Sequence, residues 1–129
     1  MGRELTRTTG YWSNWTLSPD GKELAIIINQ HQIRFLSLDT GVARDVSVDG
    51  WPLWNGDWSA DGKNVFMKSV TSKETPVMLA VNEAGKAEVV LEGDANTAFW
   101  WMIQSPDGRY GILGTEIPGD NNAWMVEDF

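Results

Sequence analysis

Ser18-Pro19-Asp20-Gly21, Ser59-Ala60-Asp61-Gly62 and Ser105-Pro106-Asp107-Gly108 are near-copies of one phrase, and their serines stand 41 and 46 residues apart. Each copy separates two short β-prone runs. An Asp-Gly pair in that setting makes a tight hairpin, because glycine accepts positive φ and the aspartate bonds nearby backbone amides. Asp20, Asp61 and Asp107 are therefore read as turn residues rather than catalysts. A strand-turn-strand phrase recurring at a period in the low forties is the sequence signature of four-stranded propeller blades.

Working outward, each unit reads as strands a to d. In the first, Trp12–Ser18 is a and Glu23–Asn29 is b, whose Leu24-Ala25-Ile26-Ile27-Ile28 run is too short for a buried helix. Gln32–Leu38 is c, closed by Asp39-Thr40-Gly41, and Val42–Val48 is d. The second unit has Leu53–Ser59, Asn64–Ser69, Pro76–Val81 and Ala87–Leu91. Pro76 fits the first position of a strand, where a ladder donor can be spared. The third has Phe99–Ser105, Tyr110–Gly114 and Asn122–Glu127, with Gly119–Asn122 read as its b–c turn and no fourth strand. Arg3-Glu4-Leu5-Thr6 matches Arg44-Asp45-Val46-Ser47 of strand d at a 41-residue offset. The expected order is thus d, abcd, abcd, abc, with strand 3–8 completing the last blade and removing its raw edge. Blade 1 is expected at about 11–50, blade 2 at about 51–94 and blade 3 at about 95–129.

Composition narrows the function classes. The apolar share of 42% supports a real core. The formal charge of −8 opposes nucleic-acid backbones and anionic membranes, and no Lys/Arg cluster is present. No apolar run is long enough to span a bilayer, and the first residues hold no signal-peptide h-region. The absence of cysteine removes disulfides, thiolate metal sites and thiol nucleophiles. His31 is the single histidine and sits in a predicted hairpin without an oriented partner, so no triad is expected. Glu116, Asp120, Asn121 and Asn122 do not follow the calcium-loop order. No catalytic residue, metal site or cofactor is expected.

The stretches SPDGKELAIII, SADGKNVFMK and SPDGRYGIL make the chain similar to the TolB-like propeller repeats, relatives of the WD-repeat group. Trp58 before Ser59 matches the tryptophan of the family's Trp-Ser-Pro-Asp-Gly; Leu17 and Gln104 stand in its place in the other copies. The resemblance covers essentially the whole chain and implies an all-β fold of three propeller blades. Such repeats serve in colicin import, peptidase gating and bacterial sensor regions, which favours a periplasmic or extracytoplasmic setting. Closed propellers carry four to eight blades. Three blades are half of a six-bladed ring, with two apolar faces that need covering. The expectation is a head-to-tail homodimer, or the remainder of a longer propeller.

Eight tryptophans in 129 residues require an account. Aligned on the turn serine, Trp12, Leu53 and Phe99 share one register of strand a, and Trp54 and Trp100 share the next with Ser13. Trp12, Trp15, Trp58 and Trp101 are read as packing between blades. The d–a connections open, by the resemblance, onto the ligand face. There Tyr11, Trp12, Trp51, Trp54 and Trp100 are the candidate binding residues, suited to a peptide side chain or a saccharide. The reading is a non-catalytic binding module. The competing one is a carboxylate-dependent hydrolase or lyase acting on saccharides in the channel, with Asp49, Asp57 and Asp94 as candidates.

Overall fold

The repeated phrase folds the same way three times. In the computed structural model, which describes residues 2–7, 14–94, 98–117 and 120–127, each serine hydroxyl donates to the carboxylate two residues on. The Ser18–Asp20, Ser59–Asp61 and Ser105–Asp107 bonds measure 2.7, 2.6 and 2.6 Å. The same carboxylates accept the backbone N–H of Lys22, Lys63 and Arg109 at 3.0 Å. Gly21, Gly62 and Gly108 have φ of 74°, 71° and 74°, the left-handed region that costs glycine nothing. The phrase is a self-contained turn, so it can be copied without regard to its surroundings.

Around these turns the described chain is all strand, with no helix. Blade 1 is β1 (Asn14–Leu17), β2 (Glu23–Asn29), β3 (Gln32–Ser37) and β4 (Ala43–Ser47). Blade 2 is β5 (Gly56–Trp58), β6 (Asn64–Val70), β7 (Pro76–Asn82) and β8 (Ala87–Glu92). Blade 3 is β9 (Ala98–Gln104), β10 (Tyr110–Ile117) and β11 (Asp120–Glu127). Every neighbouring pair within a blade is antiparallel. The first two sheets run in chain order with four strands, and the third has three. The innermost strands stand side by side, β1 against β5 and β5 against β9.

Two elements differ from the sequence expectation. Where a Gly119–Asn122 turn is expected, β11 already runs from Asp120, with Asp120 opposite Ile117 and Asn121 opposite Glu116; Gly119 lies outside the described residues. A longer ladder satisfies more backbone groups than an open loop of four residues would. Residues 2–7 join no sheet within one chain. Thr6 Oγ1 and the Arg7 carbonyl instead accept hydrogen bonds from Arg34 Nη1 of β3 at 3.1 and 3.0 Å.

Strand alternation assigns the core. One face of blade 1, with Ala25, Ile27, Ile33 and Phe35, packs on Trp58, Val65, Met67, Val77, Leu79 and Val81 of blade 2. Hydrogen bonds from Gly56 N to Asn14 Oδ1 (3.1 Å) and from Trp58 Nε1 to the Thr16 carbonyl (3.0 Å) fix that junction. The opposite face of blade 2, with Phe66, Met78 and Ala80, packs on Phe99, Met102 and Leu113 of blade 3. Gln104 Oε1 accepts the Ala60 N–H across it at 2.8 Å. Both junctions point the same way round. Each blade shows a leading face to the next and a trailing face to the one before.

The end faces stay open. On the trailing face of blade 1, Trp15 is 65% exposed, with Leu17 beside it also exposed. On the leading face of blade 3, Trp101 is 39% exposed and Ile103, Ile112 and Met125 are exposed with it. For Trp15 and Trp101 the expectation of burial between blades fails in the single chain, because no further described strand packs on those faces. Trp58, on an internal junction, is buried as expected.

Candidate functional site

The connection from β4 to β5 carries Trp51 and Trp54 on either side of Pro52 and Leu53. It is held from three directions. Leu53 N donates to the Gln30 carbonyl at 2.7 Å, and Ser69 Oγ donates to the Pro52 carbonyl at 2.5 Å. Trp54 N donates to the Lys68 carbonyl at 3.2 Å. Leu53 itself is buried in the core between blades 1 and 2. The two indoles are partly buried and hang from a pinned backbone, which lowers the entropy lost when a ligand fixes them.

Each of the two residues has a polar neighbour. Trp51 packs against the blade 1–blade 2 core, and its carbonyl stands 3.3 Å from His31 Nδ1. Lys68 Nζ lies 6.0 Å from the centre of the Trp54 ring, at the outer reach of a cation–π contact. Burial pulls the Lys68 ammonium pKa below its ordinary value, opposed by the charge of Glu116 in blade 3. The sequence reading missed Lys68; its place opposite the β5 approach, with Lys68 N bonded to the Asn55 carbonyl, is the signal that register supplies.

Of the other candidates, Tyr11 and Trp12 lie outside the described residues. Trp100 is in β9, and its side chain lies outside them too. Asp49 and Asp94 are exposed in the connections after β4 and β8. Asp57 is half-buried on the inner strand β5, where burial pushes its carboxyl above the usual range. Among the described residues, no group of three or more histidines and carboxylates is arranged to hold a metal ion.

The turn aspartates behave differently. The serine hydroxyl in each phrase, then the backbone amide, holds Asp20, Asp61 and Asp107 below the usual carboxylate range. They are fixed anions and poor proton carriers. Near two of them, an open cleft of about 560 Å³ lies between blades 1 and 2, lined by Asp20, Glu23, Asp39, Asp61 and Glu83. Glu23 is pushed up to about 7, first by burial and then by hydrogen bonding and charge from Glu83. Arg44 moderates this. Its Nη1 donates to the Glu83 carbonyl at 2.7 Å and its Nη2 stands 3.2 Å from Glu83 Oε2. Nothing in the sequence signals this pair, because Glu23 and Glu83 meet only when two blades stack.

No family model matches the chain, and no curated protein sequence matches it. Solved structures do. A TolB-type protein of Agrobacterium tumefaciens superposes with TM-score 0.74 at 18% identity, over 95% of this chain and 47% of that one. The Cps50 (Swd1) β-propeller domain of Myceliophteria thermophila gives 0.65 at 12% identity, over 98% and 41%. Oligogalacturonate lyase of Vibrio parahaemolyticus gives 0.59 at 11% identity, over 94% and 51%. The chain spans about half the length of these structures. At such identities the likeness is one of fold: the three sheets are β-propeller blades.

Proposed function

We propose that the chain is a β-propeller binding module, which takes a peptide or saccharide on the face carrying the β4–β5 connection. The supporting observation is the pinned segment 51–54, which offers two partly buried indoles from a backbone with fixed hydrogen bonds. Indole faces stack on sugar rings and on apolar or planar side chains, and a concave mouth with few convergent polar groups is the usual form of such sites. Tyr11, Trp12 and Trp100 belong to the same proposed mouth through their strand a registers. The module works as part of a larger ring, in which further blades cover its two end faces.

The test is a calorimetric screen of neutral oligosaccharides and short peptides, repeated with Trp51→Ala and Trp54→Ala. Retained far-ultraviolet spectra with binding weakened by roughly tenfold or more support the reading. Variants that bind as the parent does, or a parent that binds nothing in the screen, contradict it.

A second reading has one observation in its favour. Asp57 holds a raised carboxyl pKa on the strand nearest the channel, as a general acid requires. Under that reading the chain contributes to a hydrolase or lyase acting on saccharides, with Asp49 and Asp94 as the companion carboxylates. Cleavage of a polysaccharide panel that survives Asp57→Asn would remove it.

A further inference from the structure

Among the described residues blade 3 shows three strands where blades 1 and 2 show four, and residues near the other end resemble the fourth. On β7, Leu79 is 0% and Ala80 is 9% exposed. Leu79 and Ala80 pair with Met67 and Phe66, and the residues paired with the equivalent Leu113 and Ile112 are Trp124 and Met125, which are 55% and 62% exposed. Trp124 and Met125 are exposed on opposite faces of β11, whose outer edge no described strand pairs, while Val126 packs on the blade 2–blade 3 core. The indole nitrogen of Trp124 is nevertheless satisfied internally, donating to Thr115 Oγ1 at 3.1 Å. The ring is held in place and waits for cover.

Residues 3–6 repeat residues 44–47, which lie within β4. Their position in the single chain is informative. At the end of that stretch Thr6 and Arg7 meet Arg34 on the trailing face of blade 1. Arg34 is the blade 1 counterpart of Leu79, and Leu79 packs in the cluster joined by Val46 of β4. Thr6 and Arg7 thus touch blade 1 on the face where β4 touches blade 2, while Leu5, the counterpart of Val46, stays exposed. That contact lies on the side where a blade ahead of blade 1 would place its outer strand.

The end faces complement each other as well. Internal junctions place polar residues on the leading blade's inner strand, Asn14 and Thr16 or Asn55 and Asp57. At the open end those positions are Trp101 and Ile103, and the facing trailing positions of blade 1 are Trp15 and Leu17. All four are apolar and exposed in one chain, a pairing whose favourable term is burial itself.

We infer that a second copy of this chain docks its blade 1 on the leading face of blade 3 and adds residues 3–6 as the fourth strand beside β11, twice over in a closed pair. The inference rests on the propeller reading above and adds the occupant. It combines strand addition to an open edge with reciprocal exchange of an identical element. By the β3–β4 register, where Ile33 faces Val46, Leu5 of one copy comes opposite Ala123 of the other.

The chain has no native cysteine to confuse a cross-linking experiment. With Leu5→Cys/Ala123→Cys, mild oxidation is expected to give a covalent dimer on a non-reducing gel. The parent protein is expected to sediment at twice its 14.4 kDa mass. Ile103→Asp, at a site exposed in the single chain, should keep its spectrum and lose dimer affinity by roughly a hundredfold. A monomeric parent, a bond formed within one chain, no bond at all, or an open ladder of oligomers would each overturn the inference. Ligand binding by a monomer would leave the module reading intact while removing this one.

Discussion

Blades 2 and 3 share a turn, a register and a strand order, yet they differ in what their third strands bury. β7 is sealed on both faces by blades 1 and 3 and by β8, while β11 has a neighbour on one face and along one edge. Leu79 and Trp124 are equivalent in the fold and opposite in exposure. Burial in a repeat protein is set by place in the array as much as by residue type. A tryptophan at the open end is thus evidence about assembly before it is evidence about a ligand.

The sharpest way to test that contrast is truncation at the two equivalent positions. Leu79→Ala should cost about 2–5 kcal/mol in urea unfolding, as a fully buried leucine does. Trp124→Ala should cost about 0.5 kcal/mol in dilute protein, where the ring is exposed. The gap between the two should narrow as concentration rises and β11 is covered. Equal costs at all concentrations would break the comparison.

Next comes the contact that seats blade 2 on blade 1. Gly85 has φ of 83°, and a Cβ there would meet the Ser47 carbonyl oxygen and come within 2.6 Å of Val46 Cγ1. Gly85→Ala should lose about 1–2 kcal/mol from the left-handed backbone alone, and more from the clash. Thermal melts check this, with Gly41→Ala as the control, since its φ is 72° and a Cβ there meets nothing within 4 Å. A Gly85 variant no worse than the Gly41 variant would mean that the blades do not meet there.

The smallest effect concerns proton binding at the same junction. Glu23 is raised to about 7 in the folded chain against an ordinary 4.5. The folded state therefore holds its proton more tightly than the unfolded state does. The stability this contributes is complete below about 4.5 and is lost as pH rises through about 7. Glu23→Gln, which keeps the shape without the charge, should gain on the parent across that window. Melting temperatures at intervals from pH 4.5 to 8 read the difference, and parallel curves would contradict it.

Much of the fold is legible in the residues. Ser-x-Asp-Gly closes its own hydrogen bonds, so its meaning survives without tertiary context, and β2 spans Glu23–Asn29 as its apolar run indicates. Strand a of blade 2 is less legible. β5 covers only Gly56–Trp58, and ahead of it Leu53 spends its amide on Gln30 of blade 1 while Trp54 still bonds Lys68 of β6. Periodicity cannot show such a diversion. The same bonds make segment 51–54 rigid. Lys68 above Trp54 and the Glu23–Glu83 pair depend on how strands and blades meet, which no local pattern encodes.

The most direct measurement is amide hydrogen exchange followed strand by strand, at concentrations spanning dissociation of the pair. The account predicts that β7 amides exchange at the slow global rate throughout, while β11 amides exchange fast in the monomer and slow down only as copies associate. Protection of β11 equal to that of β7 in a protein that sediments as a monomer would contradict it.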